Sequence, residues 1–381
     1  MNYLDKLLDG VEVEWKPLGE VIILEKGKQL NKEFLTDEGM YPAYNGGISF
    51  SGWTETYNYK ENTIIISQGG ASAGYINFIN RKFYANAHCY IVLPRIDIMH
   101  NRYIYHFLKL NQNKLTEKKQ GAGIPGLKKE EILNMLIPIP CPDDPEKSLS
   151  IQKEIVRILD TFTELTTELT TELTARKKQY NYYRDQLLTF NAGVVEWKAL
   201  GEICNIGTGN RNTNEAVVDG KYPFYVRSQI PRKINCFEFD ETAIITAGDG
   251  VGVGKVFHYV QGKYALHQRA YRIVTKNNMI NSKFLFYYIV YNFNSYIQKT
   301  SVHASVTSLR KPMFENYCIP IPFPNDHAKS LIVQKRIVDI LEKFDSITNS
   351  ITEGLPREIE LRQKQYEYYR NLLFDFPKPE K

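Results

Sequence analysis

The chain has 381 residues and a net charge of +5, with 43% hydrophobic and 24% charged residues. These values are ordinary for a globular protein of about two domains, and the modest positive charge favours an anionic partner without requiring one. The N-terminal segment lacks a basic stretch followed by an apolar run, and no apolar stretch approaches ~18 residues. We therefore expect neither a signal peptide nor a membrane-spanning helix. The five cysteines are odd in number and include no CxxC pair, which argues against a disulfide framework or a zinc site and favours a cytoplasmic location.

An internal repeat organises the whole chain. The segment VEWKPLGE at 13–20 recurs as VEWKALGE at 195–202, an offset of 182 residues. Four further landmarks recur in the same order, at offsets of 181, 182, 182 and 186: YPAY at 41–44 and YPFY at 222–225, IPIP at 137–140 and 319–322, QKEIV at 152–156 and QKRIV at 334–338, KQYNYYR at 178–184 and KQYEYYR at 364–370. The chain is therefore two copies of one unit, which differ by four residues in their last stretch.

The first part of each copy is rich in predicted strands. Short β-branched runs predict strands at 63–67 and 243–246, and a glycine turn follows each, at 69–70 and 248–250. Further strands are predicted at 90–93 and 271–274, and helices at 103–110 and 284–291. The two IPIP segments are expected to be extended, because proline cannot donate a backbone hydrogen bond and disfavours helix before it.

A long helix is predicted at the end of each copy. Apolar side chains recur there mostly at three- and four-residue steps, the pattern of a coiled-coil seam. In the first copy they are Ile151, Ile155, Ile158, Phe162, Leu165, Leu169, Leu173, Tyr180, Tyr183 and Leu187. Ser148 and Ser330 are the expected N-caps, and Gly354 with Pro356 predicts a kink or break in the second helix.

Each helix must bury its apolar stripe, and the other helix is the obvious partner. Residues 148–189 would form a rod of roughly 60 Å. Parallel helices would require the second globular part to bridge that length, whereas antiparallel helices bring its two attachment points together. The sequence predicts an α+β protein: two similar mixed, strand-rich globular domains, separated by two long helices that form an antiparallel coiled coil, with a pseudo-two-fold internal repeat. The predicted domains are 1–147 and 191–329, and the predicted helical spacers are 148–190 and 330–376.

Several catalytic patterns are absent from the sequence. The chain has no Pro-Pro pair, so it lacks the turn with which adenine methyltransferases grip a flipped base. The segment 248–255 fails the spacing of a phosphate-binding loop and fits a strand-connecting turn better. The histidines form no HxxxH or HxH pair, and His88 and His267, at roughly equivalent strand starts, are interpreted as packed or surface residues. We therefore expect a non-enzymatic chain without cofactor or metal.

In this doubled order the landmarks resemble the specificity (S) subunits of type I restriction–modification systems. The resemblance covers essentially the whole chain, and only the Pro-Pro-x-x-Glu-Gln join is blurred, to Cys141-Pro142 with Gln152 and Phe323-Pro324 with Gln334. It implies that each globular part is a target recognition domain for one half of a bipartite site in double-stranded DNA. It also implies that the helices set the half-site spacing and bind methyltransferase (M) subunits, through which restriction/translocase (R) subunits join. The alternatives are a coiled-coil scaffold, a DNA-binding protein outside restriction, and a nuclease or methyltransferase fusion, against which the absent motifs argue.

Candidate DNA contacts lie in loops that combine basic and amide or hydroxyl side chains, because these groups bind phosphates and base edges. They are Asn45, Gln68, Ser72, Lys118 and Lys119 in the first copy, and Asn210, Arg211, Arg227, Gln229, Arg232, Lys233, His303 and Ser305 in the second. For each, an ordinary solvated loop is the competing interpretation.

The first helix contains the sequence TELT three times in succession, from Thr163 to Thr174. One four-residue unit adds about 6 Å of helix, which equals roughly two base pairs of DNA at ~3.4 Å each. We hypothesise that this tract tunes the distance between the half-sites. The alternative is a solvated coiled coil that tolerates threonine.

Overall fold

The elements of the first copy alternate short strands with short helices before one long helix. The computed structural model describes residues 3–8, 10–118, 126–191, 195–276, 278–300, 308–350 and 352–377. In chain order the first copy contains α1 (Tyr3–Leu8), β1 (Val13–Pro17), α2 (Leu18–Val21), β2 (Ile22–Lys26), a 3-10 turn (Lys32–Phe34), β3 (Tyr41–Tyr44), β4 (Gly52–Thr54), β5 (Thr63–Ser67), β6 (Ile76–Ile79), β7 (Tyr84–Ala85), β8 (Cys89–Pro94), α3 (Asn101–Leu110), α4 (Gln112–Glu117), α5 (Lys129–Leu133), β9 (Leu136–Pro140) and α6 (Pro145–Leu188).

The second copy repeats this order with longer strands and a divided last helix. It contains β10 (Val195–Ala199), α7 (Leu200–Ile203), β11 (Cys204–Thr208), a 3-10 turn (Thr213–Glu215), β12 (Tyr222–Tyr225), β13 (Arg232–Ile234), β14 (Phe239–Ala247), a 3-10 turn (Gly250–Gly252), β15 (Phe257–Leu266), β16 (Ala270–Thr275), α8 (Ser282–Thr300), α9 (Lys311–Glu315), β17 (Cys318–Pro322), α10 (His327–Thr348) and α11 (Gly354–Leu373). The predicted strands therefore lie in β5, β8, β14 and β16, and the predicted short helices lie in α3 and α8. These predictions, and the internal repeat, are confirmed.

The two copies share one sheet topology. In the second copy a six-stranded sheet has the order β11-β16-β14-β15-β12-β13, whereas the first copy divides the same order between β2-β8-β5-β6 and β4-β3-β7. The difference arises at β15, which pairs antiparallel with β14 and then parallel with β12 at Ala265 and Leu266. In the first copy two short strands, β6 and β7, make these two sets of pairs separately. Each extended IPIP strand pairs antiparallel with the strand that opens its copy, β9 with β1 and β17 with β10.

The chain divides into two compact units. Unit 1 comprises Met1–Thr170 together with Glu358–Lys381, and unit 2 comprises Thr171–Arg357. Helix α6 passes from one unit into the other, so each unit contains one globular part and helical segments from both copies. Each unit has its own large hydrophobic core. In the described ranges, no helix combines the length and the apolar character that crossing a membrane requires.

The core of unit 1 is completed by residues from the far end of the sequence. Phe374 and Phe376 are buried there, and the ring centroid of Phe374 lies 4.9 Å from that of Tyr103 and 5.9 Å from that of Phe107. Trp15 Nε1 donates to the carbonyl oxygen of Pro377 at 2.7 Å. The segment after α11 is therefore an integral part of the core of unit 1.

A buried glutamine fastens the start of each long helix to its globular part. The side chain of Gln152 accepts a hydrogen bond from the His100 amide at 2.8 Å, and its own amide donates to Ser148 Oγ at 3.2 Å. Gln334 makes the matching bonds with the Asn281 amide at 2.7 Å and Ser330 Oγ at 3.0 Å. The N-cap predictions for the two serines are therefore wrong. Both lie inside the first turns of helices that begin earlier, and they help to satisfy a buried amide.

The two long helices pair in antiparallel order, as the sequence predicts. In unit 1, Phe162 near the start of α6 stacks on Tyr369 near the end of α11, with ring centroids 5.1 Å apart. In unit 2, Tyr183 near the end of α6 stacks on Phe344 of α10 at 5.6 Å. The predicted break is also confirmed, because α10 ends at Thr348 and α11 begins at Gly354 with φ +75°. The predicted apolar seam of α6 is not buried evenly. Ile155, near the start of the helix, is fully buried, whereas Leu165 is 37% exposed.

A polar network inside unit 1 joins α3, α6 and α11. His106 is fully buried, with Nε2 2.8 Å from Asp160 Oδ1 and Nδ1 3.0 Å from the Tyr366 hydroxyl, and Arg102 also donates to Asp160. Burial alone would raise the pKa of Asp160, but hydrogen bonds from His106 and Arg102 outweigh it and lower the pKa to about 2. Burial lowers the pKa of His106 below 6.5. The network therefore contains an ionised carboxylate and a neutral histidine at neutral pH.

Candidate nucleic-acid interface

The same backbone frame shapes one end of the sheet in each unit. In unit 1 the Gln68 amide donates to the His88 carbonyl oxygen at 2.8 Å, and the Gln68 carbonyl oxygen accepts from the Leu127 amide at 2.7 Å. In unit 2 Gly248 makes the matching bonds, to Arg269 at 2.9 Å and from Leu309 at 2.7 Å. In each unit three segments therefore converge: the loop that follows β5 or β14, the loop that precedes β8 or β16, and the segment that precedes α5 or α9.

Three positions of this frame correspond between the units and carry different side chains, and we call them the matched positions. The hydrogen-bond register pairs Gly46 with Arg227, Gly69 with Asp249, and His88 with Arg269. His88 and His267 both lie just before these strands, but in this register His267 corresponds to Asn86, two residues before His88. In both units the following glycine, Gly70 or Gly250, has a φ close to +80° that a glycine tolerates without strain. The backbone is thus retained while the side-chain chemistry changes.

In unit 2 the matched positions form an ion-paired cluster. Arg227 Nη1 donates to Asp249 Oδ1 at 2.7 Å, and Arg269 Nη1 donates to Asp249 Oδ2 at 2.9 Å. Partial burial would raise the pKa of Asp249, but the two guanidinium groups outweigh it, so its pKa lies below the usual value. The carboxylate is therefore ionised at neutral pH and holds both arginines, while the cluster keeps a net positive charge.

An open cavity of about 370 Å³ lies beside this cluster. Its lining includes Arg227, Ser228, Arg232, Asp249 and the 3-10 turn that begins at Gly250. Cationic and hydroxyl groups therefore face one concave surface, a combination that suits a phosphate or the edge of a base.

The other predicted contacts of unit 2 fall into two groups. Asn210, Gln229 and Lys233 are exposed on loops or on the short strand β13. Arg211 instead pairs with Glu215 at 3.0 Å and lies 3.7 Å from Glu238, so its charge is already balanced inside the unit. The predicted residues His303 and Ser305 lie outside the described residues.

In unit 1 the corresponding surface carries neutral side chains. Asn45 is exposed, and Gln68 and Ser72 are half-buried. Ser67 Oγ donates to the Gly47 carbonyl oxygen at 3.2 Å, which holds the Asn45 loop against the start of the Gln68 loop. The structure therefore brings Asn45 and Gln68 to one end of the sheet.

Of the predicted lysine pair of unit 1, Lys118 does not lie with Asn45 and Gln68. Lys118 Nζ lies 2.5 Å from Glu131 Oε2 and lines a cavity with Trp15. Lys119 lies outside the described residues.

Metal and thiol chemistry have little basis in the described part of the chain. No group of three His, Cys, Asp or Glu side chains there is arranged to hold a metal ion. All five cysteines are free thiols. Burial raises the pKa of Cys89 to about 11 and that of Cys204 to about 12, so neither is a reactive thiolate at neutral pH.

The family model for the type I restriction modification DNA specificity domain matches the chain twice, over residues 10–177 and 194–361. The chain belongs to this family. The predicted recognition as a type I specificity subunit is therefore confirmed, and the two matches coincide with the two copies of the internal repeat.

Similar proteins match the chain along nearly its full length. It is 37% identical to the type I restriction enzyme EcoR124I/EcoR124II specificity subunit of Escherichia coli, over 100% of this chain and 98% of that one. It is 32% identical to the type I restriction enzyme EcoprrI specificity subunit of Escherichia coli, over 93% and 92% of the two chains. The crystal structure of a type I restriction–modification S subunit from M. genitalium shares the fold, with a TM-score of 0.70 at 19% identity over 97% of this chain and 98% of that one.

Two polar residues of the ion-paired cluster, Asp249 and Arg269, are absent from the contacts predicted from the sequence. Asp249 lies in a glycine-rich turn whose sequence resembles a phosphate-binding loop, and Arg269 lies two residues after His267. Their relation to Arg227 depends on a register between three separate loops. The available signal was the repeat itself, since aligning Tyr44 with Tyr225 places Gly46 opposite Arg227.

Proposed function

We propose that this chain is the DNA sequence-specificity subunit of a type I restriction–modification complex, reading a bipartite double-stranded site with one half per globular domain. The observation that carries the proposal is the retained frame with different side chains at the matched positions. A protein that reads two different half-sites needs one docking geometry and two sets of base contacts. A plain coiled-coil scaffold does not need such divergence.

The proposed contacts in unit 2 are the outward-facing polar residues around the cavity. Arg227, Arg232 and the exposed Gln229 and Lys233 supply donors to phosphates and base edges. In unit 1 Asn45, Gln68 and Ser72 occupy the comparable surface with neutral groups. We therefore expect the second half-site to be read with more arginine contacts than the first.

We propose residues 1–147 and 191–329 as the target recognition domains, and 148–190 and 330–376 as the helical spacers that dock methyltransferase subunits. Tyr182 and Tyr368, at matching positions of the two helical segments, are 62% and 64% exposed. Two equivalent exposed rings suit a partner that is present in two copies. The restriction subunits join through the complex with the methyltransferase, so catalysis belongs to the partner chains.

The threonine-rich tract is the proposed determinant of half-site spacing. It lies wholly inside α6, and hydroxyl groups in it bond back within the helix, as between Thr166 and the Phe162 carbonyl oxygen at 2.8 Å. Threonine in this tract is therefore compatible with an uninterrupted helix, whose length changes by about 6 Å for each four-residue unit.

Base-resolved methylome sequencing tests the proposed function. The gene is expressed with its cognate methyltransferase gene in a host that lacks both, and the control host receives the methyltransferase gene alone. The expected result is one bipartite methylated motif that appears only when this chain is present. An unchanged methylome, with the complex shown to form by co-purification, would instead favour the scaffold alternative.

A further inference from the structure

The Asp249 cluster leaves one edge of each arginine available. Asp249 accepts from one Nη1 of each guanidinium, and within the described residues neither guanidinium makes another hydrogen bond. The Nε–Nη2 edges of Arg227 and Arg269 therefore retain two parallel N–H donors each. The Arg269 side chain is 63% exposed and that of Asp249 only 18%. Arg269 thus projects beyond the carboxylate that holds it.

Two parallel donors match two kinds of acceptor pair in DNA: O6 and N7 of guanine, or two oxygens of a phosphate. The carboxylate favours guanine for two reasons. It lowers the local positive charge, which weakens the attraction to a phosphate that a lone arginine would have. It also fixes the direction of the guanidinium, which base recognition requires and which a phosphate contact needs much less.

This arrangement belongs to unit 2 alone among the matched positions. Unit 1 has Gly46, Gly69 and His88 in the places of Arg227, Asp249 and Arg269. Gly46 and Gly69 have no side chain that could orient His88, which is exposed. A guanine contact of this design therefore distinguishes the two half-sites.

We propose that Arg269 reads a guanine in the half-site of unit 2 through its Nε–Nη2 edge, with Asp249 as the residue that positions it and Arg227 as the counterion that holds Asp249. The inference rests on the proposed function, because it requires unit 2 to contact DNA bases. It names one base, one reading residue and one positioning residue.

The test uses the same co-expression and methylome sequencing with Arg269→Lys and Asp249→Asn. Lysine keeps the charge and loses the paired donors, whereas asparagine keeps the shape and loses the charge that holds two guanidiniums. We expect both variants to keep the first half-site and the spacer, and to accept another base in place of one guanine in the second half-site. The ratio of methylation at guanine-containing over substituted sites should fall roughly 5- to 150-fold, the range for one bidentate base contact. Lys221→Ala, an exposed substitution in the turn before β12 that is not among the proposed contacts, is the control and should leave the motif unchanged.

Binding of a duplex with an unrelated sequence by the purified complex separates recognition from folding. Asp249→Asn removes a negative charge, so its affinity for that duplex should be equal to or above wild type. Retention of the full motif by both variants, or an even loss of methylation at all sites, would overturn the guanine assignment in favour of a phosphate or structural role. Absence of any motif with the wild-type chain would instead refute the proposed function on which the assignment rests.

Discussion

Replacing Phe374 with alanine measures how strongly the end of the sequence stabilises the first globular domain. The ring is 5% exposed and lies against Tyr103 and Phe107 of α3. Removing a buried phenylalanine side chain destabilises a core by about 3–5 kcal/mol. Since each unit has its own core, we expect this loss to fall on unit 1.

Hydrogen exchange followed by mass spectrometry resolves the two units. In the Phe374→Ala variant, exchange in α3 should accelerate about 100-fold or more, because ~1.4 kcal/mol corresponds to a factor of ten and local opening governs exchange. Exchange in β14 should remain near the wild-type rate. Leu188→Ala is the matched control, because Leu188 is buried in the core of unit 2 at the corresponding end of α6. It should accelerate exchange in β14 and spare α3. Equal acceleration in both units for either variant would refute the assignment of the last segment to unit 1 alone.

Three further predictions follow from the fold. Gln152→Ala leaves the buried His100 amide without its partner and should lower the free energy of unfolding by roughly 1–3 kcal/mol in denaturant titration; a loss near zero would show that water replaces the amide. The pKa of Asp160 is depressed to about 2 in the fold, so its contribution to stability is present above the unfolded value near ~3.9 and lost as pH falls toward 2. Asp160→Asn should therefore flatten the stability profile of unit 1 between about pH 5 and 2, and an unchanged slope would contradict the network. Deleting Thr167 to Thr170 should shorten the spacer of the methylated motif by roughly two base pairs, and an unchanged spacer would refute the role of the tract.

Much of the architecture was predictable because the chain is duplicated, so that each element is signalled independently in both copies. A strand such as β5 or β14 is signalled by a β-branched run followed by glycine, and the signal occurs at corresponding places in both copies. The antiparallel helix pairing followed from connectivity, without any knowledge of contacts. The break before α11 followed from Gly354, whose positive φ other residues rarely adopt.

The failures have local causes. Ser148 and Ser330 have the side chains of N-caps, yet Asp326 caps α10 through the Lys329 amide and Asp144 accepts from the Lys147 amide in the same way, one turn earlier. The sequence does not distinguish Arg227, which shares a carboxylate beside a cavity, from Arg211, which is balanced by two glutamates. That distinction depends on which loops meet across the sheet.

The dependence of unit 1 on Phe374 and Phe376 has a consequence for how the protein is made. Residues 171–357 are contiguous, so the whole of unit 2 has been synthesised before the ribosome reaches Phe374. The first residues of unit 1 are synthesised before unit 2. The apolar surface around Tyr103 then stays uncovered until more than 200 further residues have been added after the start of α6. A chain that ends after Arg357 would contain all of unit 2 and would lack the residues from α11 onward that complete the core of unit 1. Unit 1 therefore acquires its last core residues only after all of unit 2 has been synthesised.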